Sequence, residues 1–301
     1  MVDIQIIKPL TGLEQYISCY CFNVVTEADI KTRIRILAGS GPTLFIYYHG
    51  SKYNALFKGK SINNPNGIIG PLNLRNDELW LLQSEREILE CVTIIFTHVG
   101  FYRIFGIPMK ELYNSVYTLF EVSLPCFKEV IMKMDDAPDN ISRAEVLNDY
   151  FKKQFIRMDK HANCYKYMCE IISYITSQKA RPDVRNVCEH AYMTERSLEN
   201  WFKTCIGSSP RDFIHNLRFQ NLLKEIYYNN ATDINWQDIV RDYGYYDQAH
   251  LINEFKDATS VTPEYFLKNK NIKFFYSSNS LIFPDTDDSH LFQETTLNYP
   301  E

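Results

Sequence analysis

Arg196, Asn200 and Lys203 recur 53 residues later as Ala249, Asn253 and Lys256, in a chain of 301 residues. Arginine and asparagine are side chains that pair bidentately with guanine and adenine edges in the major groove. Lysine neutralises phosphate. At ~100° per residue, positions spaced by three and four share one side of a helix. Glu199 flanks the first set, and His250 and Asp257 stand at the edge of the second. Any surface helix carries polar residues of this kind, so one set alone says little. Two sets in register say more.

The elements that must position these residues are also duplicated. At the same offset Leu198 falls on Leu251, Phe202 on Phe255, Ser209-Pro210 on Thr262-Pro263 and Phe213 on Phe266. Upstream the offset becomes 52, matching Val184 with Trp236, Val187 with Ile239 and Cys188 with Val240. One residue is therefore gained inside the second turn, and the two copies should share a fold. Each copy reads as a short helix, a turn and a second helix. Asp183 and Thr194 are the expected caps of the first copy, Asn235 and Asp247 those of the second. Gly244 supplies the positive φ that ends a helix sharply. Leu198, Phe202 and Cys205 form the expected buried stripe of one second helix, and Leu251, Phe255 and Ala258 that of the other. Between the copies, Ser209-Pro210 opens a helix running to about Tyr228. Its length of about 27 Å suits a strut holding two helices one DNA turn, ~34 Å, apart. A plain helical bundle would explain the caps, but not the recurrence of outward-facing residues.

The chain before this region is different. Strands are expected at Gln15–Val24, Arg33–Leu37, Thr43–Tyr48, Asn54–Lys58, Ile68–Ile69, Glu78–Leu82 and Leu89–Phe96, rich in β-branched and aromatic residues and separated by Gly, Pro and Asn turns. Many short strands suggest a barrel or sandwich. Helices are expected at Met109–Asn114, Pro125–Met134 and Ser142–Arg157. The fold class is thus α+β: a β-rich, barrel-like domain over residues 1–157, then an all-α domain of two helix-turn-helix units joined by a linker helix over 160–270. Residues 271–301 carry a net charge of −4 and read as a flexible acidic tail, apart from Phe274–Tyr276 and Leu281–Phe283. Such a tail could fold back on the basic face and weaken DNA binding.

Composition excludes several classes. Apolar residues make up 45% of the chain. The N-terminus lacks the features of a signal peptide, and no stretch approaches the ~18 apolar residues of a membrane span. A cytoplasmic protein is expected. Eight cysteines contain no Cys-x-x-Cys pair, and Cys19-Tyr-Cys21 is explained by strand alternation. Buried reduced thiols are the default against a metal or redox site, so no metal and no cofactor are expected. No phosphate-binding glycine loop, Gly-x-Ser-x-Gly elbow or His-Glu-x-x-His is present. Nothing points to an enzyme.

The second unit, Ile239-Val-Arg-Asp-Tyr-Gly-Tyr-Tyr-Asp-Gln-Ala-His-Leu-Ile-Asn-Glu-Phe-Lys256 with Val261-Thr-Pro-Glu-Tyr265, resembles the signature of the AraC/XylS family of bacterial transcription regulators. Thr194 to Lys203 with Gly207-Ser-Ser-Pro210 is similar as well. The resemblance covers about residues 165–268 and implies that the second helix of each unit enters a major groove of double-stranded DNA. Carried position by position, it sets Arg196, Glu199 and Asn200 against bases in one groove and Gln248, Ala249, His250 and Asn253 in the other. Gln248 and Glu199 join the set mainly through the resemblance. Arg181, Arg185, Lys203, Arg211, Arg218 and Lys256 are candidate phosphate contacts if they share one face. Helix N-termini after Asp183 and Asn235 can add backbone donors.

Two features depart from the family pattern. Tyr192 stands where the first turn often has glycine, which either softens the turn or strains the backbone. Residues 161–270 carry a net charge of −1, which predicts weak, salt-sensitive DNA binding. More loosely, Ile94-Ile-Phe96 with Phe105-Gly-Ile-Pro108 resembles the sensor half of a subgroup of these regulators, although its Phe-x-Pro-Gly appears here as Phe96-Thr-His-Val-Gly100, without proline. That likeness implies effector binding or homodimerisation. Arg33, Arg35, Tyr47, His49, Tyr53 and His98 are candidates to line a pocket, with surface or core positions as the plainer alternative. The family also implies activation through RNA polymerase. A regulator gated by a protein partner, with no small ligand, is the alternative reading.

Overall fold

The computed structural model describes residues 3–26, 33–36, 43–49, 53–57, 60–63, 67–70, 78–84, 88–112, 117–119, 121–122, 124, 127–157, 162–178, 182–228, 234–269, 273–275 and 280–283. The first half is built on antiparallel strands. β1 (Asp3–Ile7), β2 (Ile17–Thr26), β4 (Thr43–Tyr48), β7 (Gly67–Gly70), β9 (Ile88–Phe96) and β10 (Tyr117–Thr118) form one sheet in the order β1-β2-β9-β4-β7-β10. β3 (Arg33–Ile36), β5 (Tyr53–Phe57), β6 (Lys60–Asn63), β8 (Glu78–Ser84), β11 (Lys273–Phe275) and β12 (Ser280–Phe283) form the other, in the order β11-β12-β3-β8-β5-β6. The expected strands are present to within two residues at either end, and β1, β6, β10, β11 and β12 are additional.

Strand alternation sorts the first sheet into two faces. Tyr20 pairs in register with Ile94, and Leu44 does so on the other side of β9; Phe22 and Ile46 flank Val92 in the same way. All are buried, and they meet three helices: α1 (Gly100–Phe105), α2 (Phe127–Asp136) and α3 (Asn140–Arg157). The ring of Phe151 on α3 lies 5.7 Å from Phe96 and 6.2 Å from Phe105. Gly100 is required here. A Cβ at that position would sit 1.8 Å from the carbonyl oxygen of Tyr16, so no larger residue starts α1. The segment expected as a helix from Met109 to Asn114 is a single 3-10 turn, Met109–Glu111, directly after Pro108. Its residues 113 and 114 lie outside the described ones. Cys19 and Cys21 project together from β2 to the opposite face, with their sulfurs 3.7 Å apart beside Ile95. Burial pushes the nearby Cys91 thiol up to about 12, so it is protonated and inert at neutral pH.

The second half is helical: α4 (Ala162–Ser177), α5 (Val184–His190), α6 (Glu195–Cys205), α7 (Pro210–Tyr228), α8 (Trp236–Asp242), α9 (Gln248–Thr259) and α10 (Pro263–Lys268). One buried cluster runs from the first sheet through α1–α4 to Leu198, Phe202, Phe213 and Ile214. A second begins at Phe219 and contains Leu222, Ile239, Leu251, Phe255 and Phe266. Helix α7 therefore feeds one core with its first turns and another with its last. The junction with the first half is tight: His98 packs edge-on against Phe213 at 5.0 Å, the Tyr165 hydroxyl donates to the Gln15 carbonyl at 2.7 Å, and Met109 is fully buried beneath α6.

The two apolar stretches set apart from the acidic tail fall on strands: β11 pairs antiparallel with β12, and β12 pairs with β3 from Phe283↔Arg33 to Ser280↔Ile36. These short strands, rich in Phe, Leu and Ile, extend the second sheet beyond β3. This part of the tail lies on the strand half and not over the helical units. The acidic residues beyond 283 lie outside the described ones.

Candidate nucleic-acid interface

Each helix pair is defined by local chemistry that acts over three residues. The Asp183 carboxylate accepts from the Arg185 amide at 3.4 Å, and Thr194 Oγ1 accepts from Ser197 at 3.2 Å. In the second copy Asn235 accepts from Gln237 at 3.0 Å and Asp247 from His250 at 2.7 Å. Ser209 and Thr262 cap α7 and α10 in the same manner, at 3.1 and 3.2 Å. Each such cap contributes about 1 kcal/mol, a large share of the stability of a seven-residue helix.

The turns superpose bond for bond. Tyr245 N donates to Val240 O at 2.9 Å, as Met193 N does to Cys188 O at 3.0 Å. Gly244 N donates to Arg241 O at 3.1 Å, as Tyr192 N does to Glu189 O at 3.3 Å. Gly244 has φ 64° and Tyr192 φ 51°. The turn in the first copy is as sharp as in the second, and the backbone strain falls on Tyr192.

Beneath each second helix the stripe is dry: Leu198, Phe202 and Cys205 under α6, Leu251 and Phe255 under α9. One position differs from expectation. Ala258 is only half-buried, and the fully buried residue is Thr259, whose hydroxyl donates to Phe255 O at 2.7 Å. That bond lets a polar residue occupy the core end of α9.

On the outer side of α6, Arg196, Asn200 and Lys203 are exposed and Glu199 is half-exposed. Lys203 Nζ lies 2.9 Å from Glu199 Oε1, an i,i+4 pair that holds the two side chains along the helix. On α9, Gln248, Ala249, His250, Asn253 and Lys256 are all exposed. Arg185, in the first turn of α5, and Arg211, in the first turn of α7, are exposed too. Among the described residues Arg185, Arg196, Arg211 and Lys256 take part in no ion pair. Arg181 lies outside the described residues.

Arg218 does not belong in this set. Its side chain is 5% exposed and its Nη2 donates to both oxygens of Glu254, at 3.1 and 2.8 Å. The guanidinium lies over the Tyr245 ring, 4.3 Å from its centroid, and Nη1 reaches the Tyr243 carbonyl at 3.4 Å. The Tyr245 hydroxyl donates to Glu254 at 2.9 Å, and burial, with the carboxylate beside it, pushes that phenol up. Arg218 is thus consumed in fastening α9 to α7. Helix α7 is buried on nearly every side between two cores, so an arginine in its middle turns inward. Glu254, the partner, was not singled out by sequence reasoning. The available signal was a charged residue directly beside Phe255 on the edge of the apolar stripe.

Of the residues expected to line a sensor pocket, Tyr47 is buried and His98 is packed against Phe213. The His49 ring contacts the Glu90 carboxylate through Nδ1, and its Nε2 lies 3.1 Å from Arg143 Nη2. These three occupy separate packing contacts. Side chains of Arg33, Arg35 and Tyr53 lie outside what is described. Among the described residues no helix is long and apolar enough to cross a membrane, and no group of three or more His, Cys, Asp or Glu side chains could hold a metal ion.

Residues 187–269 match the family model of a helix-turn-helix domain. No curated protein matches the sequence. Among solved structures the chain is similar to ToxT from Vibrio cholerae, at 17% identity over 82% of this chain and 97% of that one, with a TM-score of 0.43. It is similar to ToxT of strain SCE256 with an unsaturated fatty acid bound, at 13% identity over 82% and 94%, with a TM-score of 0.44. The AraC-like transcriptional activator CuxR follows, at 10% identity over 74% and 86%, with a TM-score of 0.27. With α6 and α9 both inside the matched segment, the C-terminal part of this chain is an AraC-type helix-turn-helix domain, the DNA-binding part of a transcription regulator.

Proposed function

We propose that α6 and α9 enter two successive major grooves of one duplex. Arg196, Glu199 and Asn200 read bases in the first, and Gln248, Ala249, His250 and Asn253 in the second. Lys203 and Lys256 stand beside them, with Arg185 and Arg211 on phosphates. The observation that carries this reading is the repeat itself: two capped helix pairs with the same buried stripe and the same exposed positions. Ala249 offers a methyl group and suits a thymine methyl; Asn253 suits adenine.

Electrostatics fit a modest binder. Arg185, Arg196, Arg211 and Lys256 stand outside ion pairs among the described residues, whereas Lys203 and Arg241 are tied to carboxylates. With about four phosphates neutralised, log K should fall against log salt with a slope of about −3 to −4. Fluorescence anisotropy of the full chain on fragments upstream of its own gene, against scrambled DNA at several salt concentrations, tests this. Salt-sensitive preference for one fragment supports groove reading. Equal binding to all duplexes removes it.

Control acts through the first half. The support for this is that α6 shares one continuous buried cluster with the first sheet, so a change there is felt by the first unit. A small effector would raise the melting temperature of the purified chain. A protein partner would instead raise its size-exclusion mass in extract, without a thermal shift from metabolites. Contact with RNA polymerase, giving activation, would follow on the promoter-bound form.

A further inference from the structure

We propose that Tyr192, and Tyr246 in the matching turn, touch the sugar-phosphate backbone beside the two groove-entering helices. This rests on the reading of α6 and α9 given above. Tyr192 holds a left-handed backbone, φ 51°, at the position where the second unit has Gly244 at φ 64°. The two turns make the same hydrogen bonds, so glycine can build this turn, and a side chain there only adds strain. The Tyr192 side chain gains nothing from the protein in return: it is 95% exposed, and among the described residues it makes no ring contact, ion pair or side-chain hydrogen bond.

Tyr246 stands just ahead of Asp247, the cap of α9, and is 90% exposed. Among the described residues the other exposed large apolar side chains reach at most 66%. The two most exposed of this class therefore sit in the two equivalent turns, each one or two residues ahead of a recognition-helix cap. The compensating contact must come from outside the chain. A phenol is a neutral donor to a phosphate oxygen, and its ring packs on the sugar; such contacts position a protein on DNA without reading sequence. In a region whose net charge is −1, uncharged donors carry part of what lysine and arginine supply elsewhere.

The test uses the full chain with Tyr192→Gly, Tyr192→Phe and Tyr246→Ala, a duplex selected by the wild type from a random pool, and a scrambled duplex. Tyr192→Gly should raise the melting temperature by about 1–3 °C, yet weaken both duplexes by the same factor, roughly tenfold. Tyr192→Phe should fall between, and Tyr246→Ala should weaken both duplexes with stability unchanged. Unchanged affinity in the glycine variant overturns the proposal. Loss on the selected duplex alone also overturns it, because that marks base reading. A fall in both stability and affinity would make the residue structural, with the same consequence. If the wild type enriches no duplex from the pool, the underlying groove reading fails, a result visible before any variant is compared.

Discussion

Replacing Arg218 by alanine separates two accounts of the same residue. In the structure its guanidinium is 5% exposed and bonded to a carboxylate that is 13% exposed. Removing one partner of a buried pair costs about 3–5 kcal/mol, because the other charge is left uncompensated. Here the carboxylate keeps the Tyr245 hydroxyl at 2.9 Å and has the His215 and His250 rings within 3.7 and 4.0 Å. That residual solvation puts the electrostatic loss at the lower end, about 3 kcal/mol. The contact over the Tyr245 ring adds about 1 kcal/mol. The loss falls on the second core, so amide exchange should accelerate in α8, α9 and α10, with α1–α3 unaffected. Urea unfolding with exchange on the full chain reads both. Arg218→Met with Glu254→Leu should recover most of the stability, since an apolar pair of similar volume replaces the ions without leaving a charge behind. The reasoning is refuted if Arg218→Ala is within about 0.5 kcal/mol of wild type while its DNA salt slope falls by about one unit, which is what a surface phosphate contact would do.

Other expectations follow from the same geometry. Arg196→Ala and Asn253→Ala should each cost about 1–3 kcal/mol of specific binding, one in each half of the footprint; loss of protection in the same half for both would contradict the two-groove arrangement. Burial pulls His98 down to about 4 from 6.5. Its neutral form is the folded one, so stability is complete above about 6.5 and is lost as pH falls towards 4, by about 3 kcal/mol at most. Denaturation midpoints of His98→Gln should be flatter in that window, and identical profiles would refute the assignment. Ending the chain at residue 270 removes β11 and β12 and leaves β3 as an open edge. Self-association in light scattering is expected, while a strictly unchanged mass would mean the hairpin does not protect that edge.

The caps, the sharp turn at Gly244 and the duplicated stripes were legible in the sequence because each depends on residues within about four positions of one another. An aspartate three residues ahead of a helical amide, or a leucine four before a phenylalanine, states its own geometry. The first half was legible as strands for the same reason, since alternation is local. What tertiary structure alone decided involves partners far apart in sequence. Arg218 reads as one more surface cation until α7 is seen wedged between two cores and Glu254, 36 residues on, is found facing it. The pairing of β12 with β3 joins residues some 250 positions apart, and no local pattern distinguishes it from an acidic tail with two apolar stretches. Tyr192 marks the boundary between the two kinds of knowledge. Its place in the turn could be read from the repeat, but only the fold showed that its backbone kept the glycine conformation and that its side chain was left 95% exposed.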